Sequence, residues 1–171
     1  GMKVPLDWAN PTNGKTVSIT VVLTRSASEH DRLGSLVINP GGPGGSGTQA
    51  ALDLAVGELP QAILDRFDIV GFDPRGIGLS DPLNCIPAKQ KDAELNMTPD
   101  PVSDAQWAAV VAEDTKVADE CYATYGSDLT FYSTTETVRD MEALRAKLGD
   151  PLLTYLGYSY GTLLGATYAE L

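Results

Sequence analysis

The chain has 171 residues, 43% of them hydrophobic, and a formal charge of −11 from 12 Lys and Arg against 23 Asp and Glu. Apolar side chains suffice for one sizeable core, so residues 1–171 read as a single domain. The scattered cations argue against nucleic-acid binding, which needs a basic patch, and no apolar run reaches the length of a membrane span.

Gly1 before Met2 has the look of a tag-cleavage scar, so the lack of a leader in the sequence says nothing about compartment. Lys3 to Leu6 and Lys15 to Arg25 are expected strands, joined by the turn Asn10-Pro11-Thr12-Asn13-Gly14, which predicts an antiparallel opening pair. After a polar loop over 26–32, Leu33 to Asn39 is the next strand. It runs into Pro40-Gly41-Gly42-Pro43-Gly44-Gly45-Ser46-Gly47, and Thr48 to Val56 suits a helix. A short helix over Leu59 to Arg66 precedes a buried strand, Phe67 to Phe72, that ends at Asp73-Pro74-Arg75-Gly76-Ile77-Gly78-Leu79-Ser80.

Cys85 to Pro101 reads as a loop-rich excursion. Ser103 with Gln106 forms a capping box for a helix reaching Gly126, with Trp107, Val111, Ala118, Cys121 and Tyr125 as its buried stripe. A second box, Ser133 with Glu136, opens a helix whose Val138, Met141, Leu144 and Leu148 face one way, and Gly149 and Pro151 end it. Leu152 to Leu156 reads as a buried parallel strand, and the last helix starts at Tyr160. Strands alternating with helices after an antiparallel start predict an α/β fold, mostly parallel, with helices on both faces.

Two cysteines, Cys85 and Cys121, lack the spacing of a zinc site; they are two buried thiols or one disulfide, the second implying export. Asp65, Asp68, Asp140 and Asp150 read as caps, turns or solvated charges. The single histidine, His30, belongs to a surface loop at the far end of the strand that leads into the glycine-rich run, roughly 20 Å away.

Gly157-Tyr158-Ser159-Tyr160-Gly161 is a G-x-S-x-G pattern between a strand and a helix. A serine on so tight a turn needs neighbours without bulk, and the helix that follows points free N–H groups at its Oγ. The glycine-rich run at 40–47 has three chemical readings. A nucleoside triphosphate loop would carry Lys after its last glycine, where Thr48 stands. Gly42-x-Gly44-x-x-Gly47 satisfies the dinucleotide pattern, with Asp68 or Asp73 in place of the ribose acid. Against it, Pro40 and Pro43 stiffen the turn, and Gly157 to Gly161 would be left unexplained. In the third reading an N–H of the Gly-Gly-Pro turn and the N–H of Tyr160 converge on the carbonyl oxygen attacked by Ser159. That accounts for both glycine-rich stretches.

In this order, NPGGPGGSG, FDPRGIGLS and GYSYG resemble the α/β-hydrolase fold, and more narrowly the proline iminopeptidase and secreted tripeptidyl aminopeptidase group. The resemblance implies that Pro40 to Gly44 stands for the family's H-G-G-P-G loop, with Gly42 the N–H donor. Pro40 replaces the family histidine, a variation closer to the tripeptidyl aminopeptidase branch. It also makes Arg75 of the D-x-R-G-x-G-x-S loop structural, and matches Cys85 and Cys121 to a pair that is a disulfide in the secreted branch.

The resemblance runs from Val4 onward but covers only the front of the family's fold. The family order is Ser, then acid, then His, and twelve residues follow Ser159 here. The expectation is the N-terminal part of a hydrolase core, inactive alone, from an exopeptidase that releases short units through an acyl-enzyme on Ser159. No cofactor or metal is expected. The expected partners are a peptide or ester substrate and a C-terminal part, in cis or in trans, or self-association at the apolar sheet edge of Leu152 to Tyr158. An esterase or lipase of the same fold is the sibling reading, and a non-catalytic truncated homologue serving as a binding module is the alternative. The compartment expected is secreted or cell-envelope, or cytoplasmic if Met2 is the native start.

Overall fold

A computed structural model describes residues 1–28, 30–97 and 100–171; Glu29, in the expected 26–32 loop, and Thr98 and Pro99, in the expected 85–101 excursion, lie outside the described residues. In chain order the elements are β1 (Met2–Pro5), β2 (Thr16–Ile19), β3 (Val21–Thr24), β4 (Gly34–Asn39), α1 (Gly47–Gly57), α2 (Gln61–Leu64), β5 (Phe67–Phe72), α3 (Ala88–Leu95), α4 (Asp104–Tyr125), a 3₁₀ turn (Gly126–Phe131), α5 (Thr134–Leu148), β6 (Thr154–Gly157) and α6 (Tyr160–Glu170). They divide into two compact units, Gly1–Pro82 with Phe131–Leu171, and Leu83–Thr130.

The first unit holds a four-stranded sheet of order β3-β5-β4-β6 and a separate antiparallel pair, β1-β2. β5, β4 and β6 run parallel, and β3 lies antiparallel on β5. Every residue of β4 is buried, as befits a central strand covered on both faces. Its alternating side chains feed two cores. Val37 packs with Val70, Phe72, Met141, Leu144, Leu164 and the β1-β2 pair, while Leu36 and Ile38 pack with Ile69, Ala51 and Leu54. Helices α5 and α6 thus cover one face and α1 the other, which is the α/β arrangement expected from the sequence.

Three local expectations are corrected here. The single strand expected over Lys15 to Arg25 is two strands in two sheets, because Thr20 binds the loop after β5. Its N–H donates to Ser80 Oγ at 2.9 Å and its hydroxyl to Leu79 O at 2.7 Å. The Ser133 capping box is half closed: Ser133 Oγ accepts from Glu136 N–H at 3.3 Å, but the Glu136 carboxylate accepts from Trp8 N–H at 3.0 Å. The last strand begins at Thr154, leaving Leu152 exposed. Gly149 does end α5, in the left-handed conformation at φ 79°.

Two of the aspartates expected to be caps, turns or solvated charges differ. Asp68 and Asp140 are buried, at 1% and 0% exposure. Asp68 accepts from Ser26 N–H, Arg25 and Arg32. Burial raises its pKa, but these donors outweigh burial and leave it below the ordinary carboxylate value. Asp150 accepts from Ser35 N–H at 3.0 Å and faces Arg32. Asp65, closing α2 as its C-cap, and Asp150, in the turn between α5 and β6, fit the expectation.

Asp140 grips Arg75, whose Nε and Nη2 donate to its two oxygens at 2.8 and 2.6 Å. The other donors of Arg75 reach the carbonyls of Leu6, Phe131 and Pro5, so all the N–H directions of the guanidinium are used. Arg75 therefore ties the β1 end, the loop after β5 and α5 together, the structural part expected of it. Desolvation nevertheless raises the Asp140 pKa, outweighing the attraction of Arg75.

The second unit contains α3, α4 and a Cys85–Cys121 disulfide with a Cα–Cα distance of 4.5 Å. The free-thiol alternative is thereby removed. The excursion expected over Cys85 to Pro101 carries a helix, α3, entered from Pro87 at its N-cap. The Ser103–Gln106 capping box closes as expected. The stripe on α4 holds only at its C-terminal end. Its half-buried face is Gln106, Val110, Glu113, Val117, Cys121 and Tyr125, so Cys121 and Tyr125 are placed as expected, while Trp107 and Val111 are 60% and 45% exposed and Ala118 is exposed. Gln90 of α3 donates through Nε2 to Glu113 Oε1 at 2.9 Å, which holds the Glu113 side of that face toward α3. No described helix is long and apolar enough to cross a membrane.

Candidate active site

The parallel register pairs Asn39 with Gly157, so β4 and β6 end side by side at one rim of the sheet. The glycine-rich loop leaves one strand and the Tyr158-Ser159 turn leaves the other. Tyr158 N–H donates to Asn39 O at 3.0 Å, which joins the two loop starts. Adjacent carboxyl ends of parallel strands are where open α/β sheets place their ligands.

Ser159 has φ 52° and ψ −123°, a conformation that costs a non-glycine residue about 1–3 kcal/mol. It is held there from both sides. Gly161 N–H donates to Tyr158 O at 2.7 Å and Thr162 N–H to Ser159 O at 2.9 Å, while β6 fixes the chain entering the turn. The turn is open to solvent at Ser159. Tyr160 begins α6, so its N–H lacks an acceptor within the helix and stands beside Ser159 at the positive end of the helix dipole.

Bulk is excluded where the turn requires it. A Cβ on Gly157 would fall 2.5 Å from Gly161 O, and one on Gly161 would fall 2.7 Å from Asn39 O. The glycine-rich loop meets the turn at Gly41, where a Cβ would fall 2.9 Å from both Ser159 Cβ and Tyr160 N. Gly41 and Gly42 adopt φ 90° and 113°, values open to glycine. Gly41 N–H donates to Asn39 Oδ1 at 2.9 Å and Gly41 O accepts from Gly45 N–H at 3.0 Å.

Asp73 clamps the far end of the same loop. Its Oδ1 accepts from Ser46 Oγ, Thr48 N–H and Thr48 Oγ1 at 2.8, 3.0 and 2.9 Å, and its Oδ2 accepts from Leu79 N–H at 2.9 Å. Burial alone would raise its pKa, but these donors lower it below the ordinary value. Fully buried at 0% exposure and turned onto these internal donors, Asp73 is closed to a ribose, and Asp68 sits at the start of β5, the opposite end of that strand. The dinucleotide reading therefore loses both of its acids. Among the described residues no group of three or more His, Cys, Asp and Glu is arranged to hold a metal ion.

The structure brings Ser159, Tyr160 and the Gly41–Gly42 turn together and keeps His30 apart, exposed in the loop before β4. Sequence reasoning missed Asn39 and the clamp at Asp73. A polar residue closing the apolar run LGSLVIN was the one available sign of the first.

A serine at a tight strand-to-helix turn beside a glycine-rich loop, at the carboxyl ends of parallel strands, is the arrangement that comparison with known proteins assigns to a family. The family model for the alpha/beta hydrolase fold matches residues 34–171, and the chain belongs to that family. It is 39% identical over 171 residues to the serine protease Hip1 of Mycobacterium tuberculosis, covering 99% of this chain and 32% of that protein. It is 37% identical over 170 residues to a tripeptidyl aminopeptidase of Streptomyces coelicolor, covering 98% and 31%. Carboxylesterase B of Mycobacterium tuberculosis is 38% identical over 150 residues, covering 84% and 28%. The chain thus spans about a third of the length of the curated relatives it matches, and it resembles the hydrolase and peptidase branch of the fold.

Proposed function

We propose that Ser159 is the nucleophile of a serine hydrolase acting on the N-terminal end of peptides. The observation that carries this reading is an exposed serine at φ 52°, at the head of α6, with Gly41 packed against it. Ser159 Oγ attacks the scissile carbonyl carbon and gives its proton to a general base. The carbonyl oxygen becomes an oxyanion held by the N–H groups of Gly42 and Tyr160. Collapse returns the proton to the leaving amine and leaves an acyl-enzyme, which water hydrolyses by the same steps.

The base and its orienting carboxylate come from outside these 171 residues, in cis or in trans, because His30 sits before β4 and the strand separates it from the turn. β6 is the edge of the four-stranded sheet, which offers the supplying segment a strand to pair with. The peptidase choice is supported by the two relatives named as protease and aminopeptidase; an esterase is the second reading, supported by the similarity to a carboxylesterase. The disulfide supports export to an oxidising compartment.

A fluorophosphonate probe tests the proposal. The chain is labelled alone and joined to the residues that follow the matched region in the Streptomyces coelicolor relative, with Ser159→Ala as control. Labelling of the joined form alone, lost in the control, is the expected result. Absence of labelling in both forms overturns the hydrolase reading and favours a non-catalytic binding module.

A further inference from the structure

We infer that Asn39 is the positioning residue that sets the glycine-rich loop against Ser159, an inference that rests on the hydrolase reading above. Asn39 closes β4 and is 1% exposed. Its side-chain Oδ1 accepts from Gly41 N–H at 2.9 Å, and its main-chain oxygen accepts from Tyr158 N–H at 3.0 Å. One residue therefore holds both the loop and the serine turn. Gly161 sits directly over it, since a Cβ there would fall 2.7 Å from Asn39 O and 3.0 Å from Oδ1.

Two features separate this from ordinary packing. Among the described residues, Asn39 Nδ2 is a buried side-chain nitrogen without a hydrogen-bond partner. Burying an unpaired donor is unfavourable, and an apolar residue of similar shape would avoid it. The amide orientation is fixed by the Gly41 bond, because the opposite orientation would set N–H against N–H. What the residue gains for that cost is control of one backbone donor. With Gly41 N–H consumed by Asn39, the proposed oxyanion donor is the next N–H along the loop, that of Gly42, whose φ is 113°.

Asn39→Asp keeps an acceptor oxygen for Gly41, and Asn39→Ala removes it. Amide hydrogen exchange in the ¹⁵N-labelled chain reads the anchor without reference to activity. Gly41 N–H exchanges about tenfold faster in Asn39→Ala and within about threefold of wild type in Asn39→Asp, with distant core amides unchanged. Fluorophosphonate inactivation is then measured in whichever form of the protein labels at Ser159. The maximal inactivation rate falls about 10- to 100-fold in Asn39→Ala with the probe's half-saturating concentration unchanged, and Asn39→Asp recovers most of it.

Equal labelling of all three proteins overturns the role of Asn39 and leaves the hydrolase reading standing. Failure of wild type to label in any form overturns the hydrolase reading, and the positioning role with it, even where Gly41 exchange responds. If Asn39→Ala does not fold, Asn39→Asp decides: a folded Asp variant with slow Gly41 exchange and lost labelling contradicts the inference.

Discussion

Replacing Gly41 by Ala probes the contact between loop and turn with a single methyl group. Two separable penalties follow from the structure. The residue sits at φ 90°, where an L-side chain costs about 1–2 kcal/mol. The new Cβ would also lie 2.9 Å from Ser159 Cβ and Tyr160 N, and closer still to the Tyr158 carbonyl oxygen, an overlap worth about 1–3 kcal/mol. The sum is about 2–5 kcal/mol. Gly149 supplies the control: it has φ 79° but nothing within 4 Å of an added Cβ, so Gly149→Ala carries the conformational penalty alone. Urea unfolding of the two variants reads the difference. Relieving the overlap must push the loop and the serine apart, so the fluorophosphonate rate should drop about 100-fold in Gly41→Ala and remain unchanged in Gly149→Ala. A Gly41→Ala protein as stable and as reactive as Gly149→Ala would refute the packing on which this reasoning stands.

Removing one partner of the Arg75–Asp140 pair leaves a buried charge, so Asp140→Ala should lose about 3–5 kcal/mol in urea unfolding. The double replacement Arg75→Met with Asp140→Leu should cost less than the sum of the single changes, and additive costs would argue that the two groups are not a pair. Acid stability should separate Asp73 from Asp140 by sign. The Asp73 pKa is lowered, so its contribution is present above the unfolded value of 3.8 and is lost as pH falls through the folded value. The stability gap between wild type and Asp73→Asn should therefore narrow below that pH. The Asp140 pKa is raised, so wild-type stability should fall as pH rises from 3.8 through the folded value, the pairing with Arg75 keeping the remainder. Unfolding curves collected from pH 2.5 to 7 check both, and a gap for Asp73→Asn that widens in acid would contradict the assignment.

What the sequence disclosed was what short-range chemistry dictates. The apolar runs of β4 and β5, the Ser103 cap, the left-handed Gly149 and the strand-turn-helix around Ser159 all depend on neighbours a few residues away. The division of Lys15 to Arg25 was hidden because the partner that breaks it, Ser80, lies 60 residues further on. For the same reason two of the aspartates were misread. Asp68 and Asp140 look like surface charges until Arg32 and Arg75 are brought onto them by the sheet. On α4 the half-buried face includes Gln106 and Glu113, and Glu113 is held by Gln90, 23 residues away, a contact the apolar spacing could not reveal. At the site, the reactive-looking serine and the glycine runs were legible. Asn39 was not, because its part depends on the alignment of β4 with β6.

The most direct test of the account is an experimental structure of the phosphonylated protein, in whichever form labels. The phosphoryl oxygen should lie about 2.7–3.1 Å from both Gly42 N and Tyr160 N, with phosphorus on Ser159 Oγ. A phosphoryl oxygen turned to solvent, or an adduct on any other residue, would contradict it.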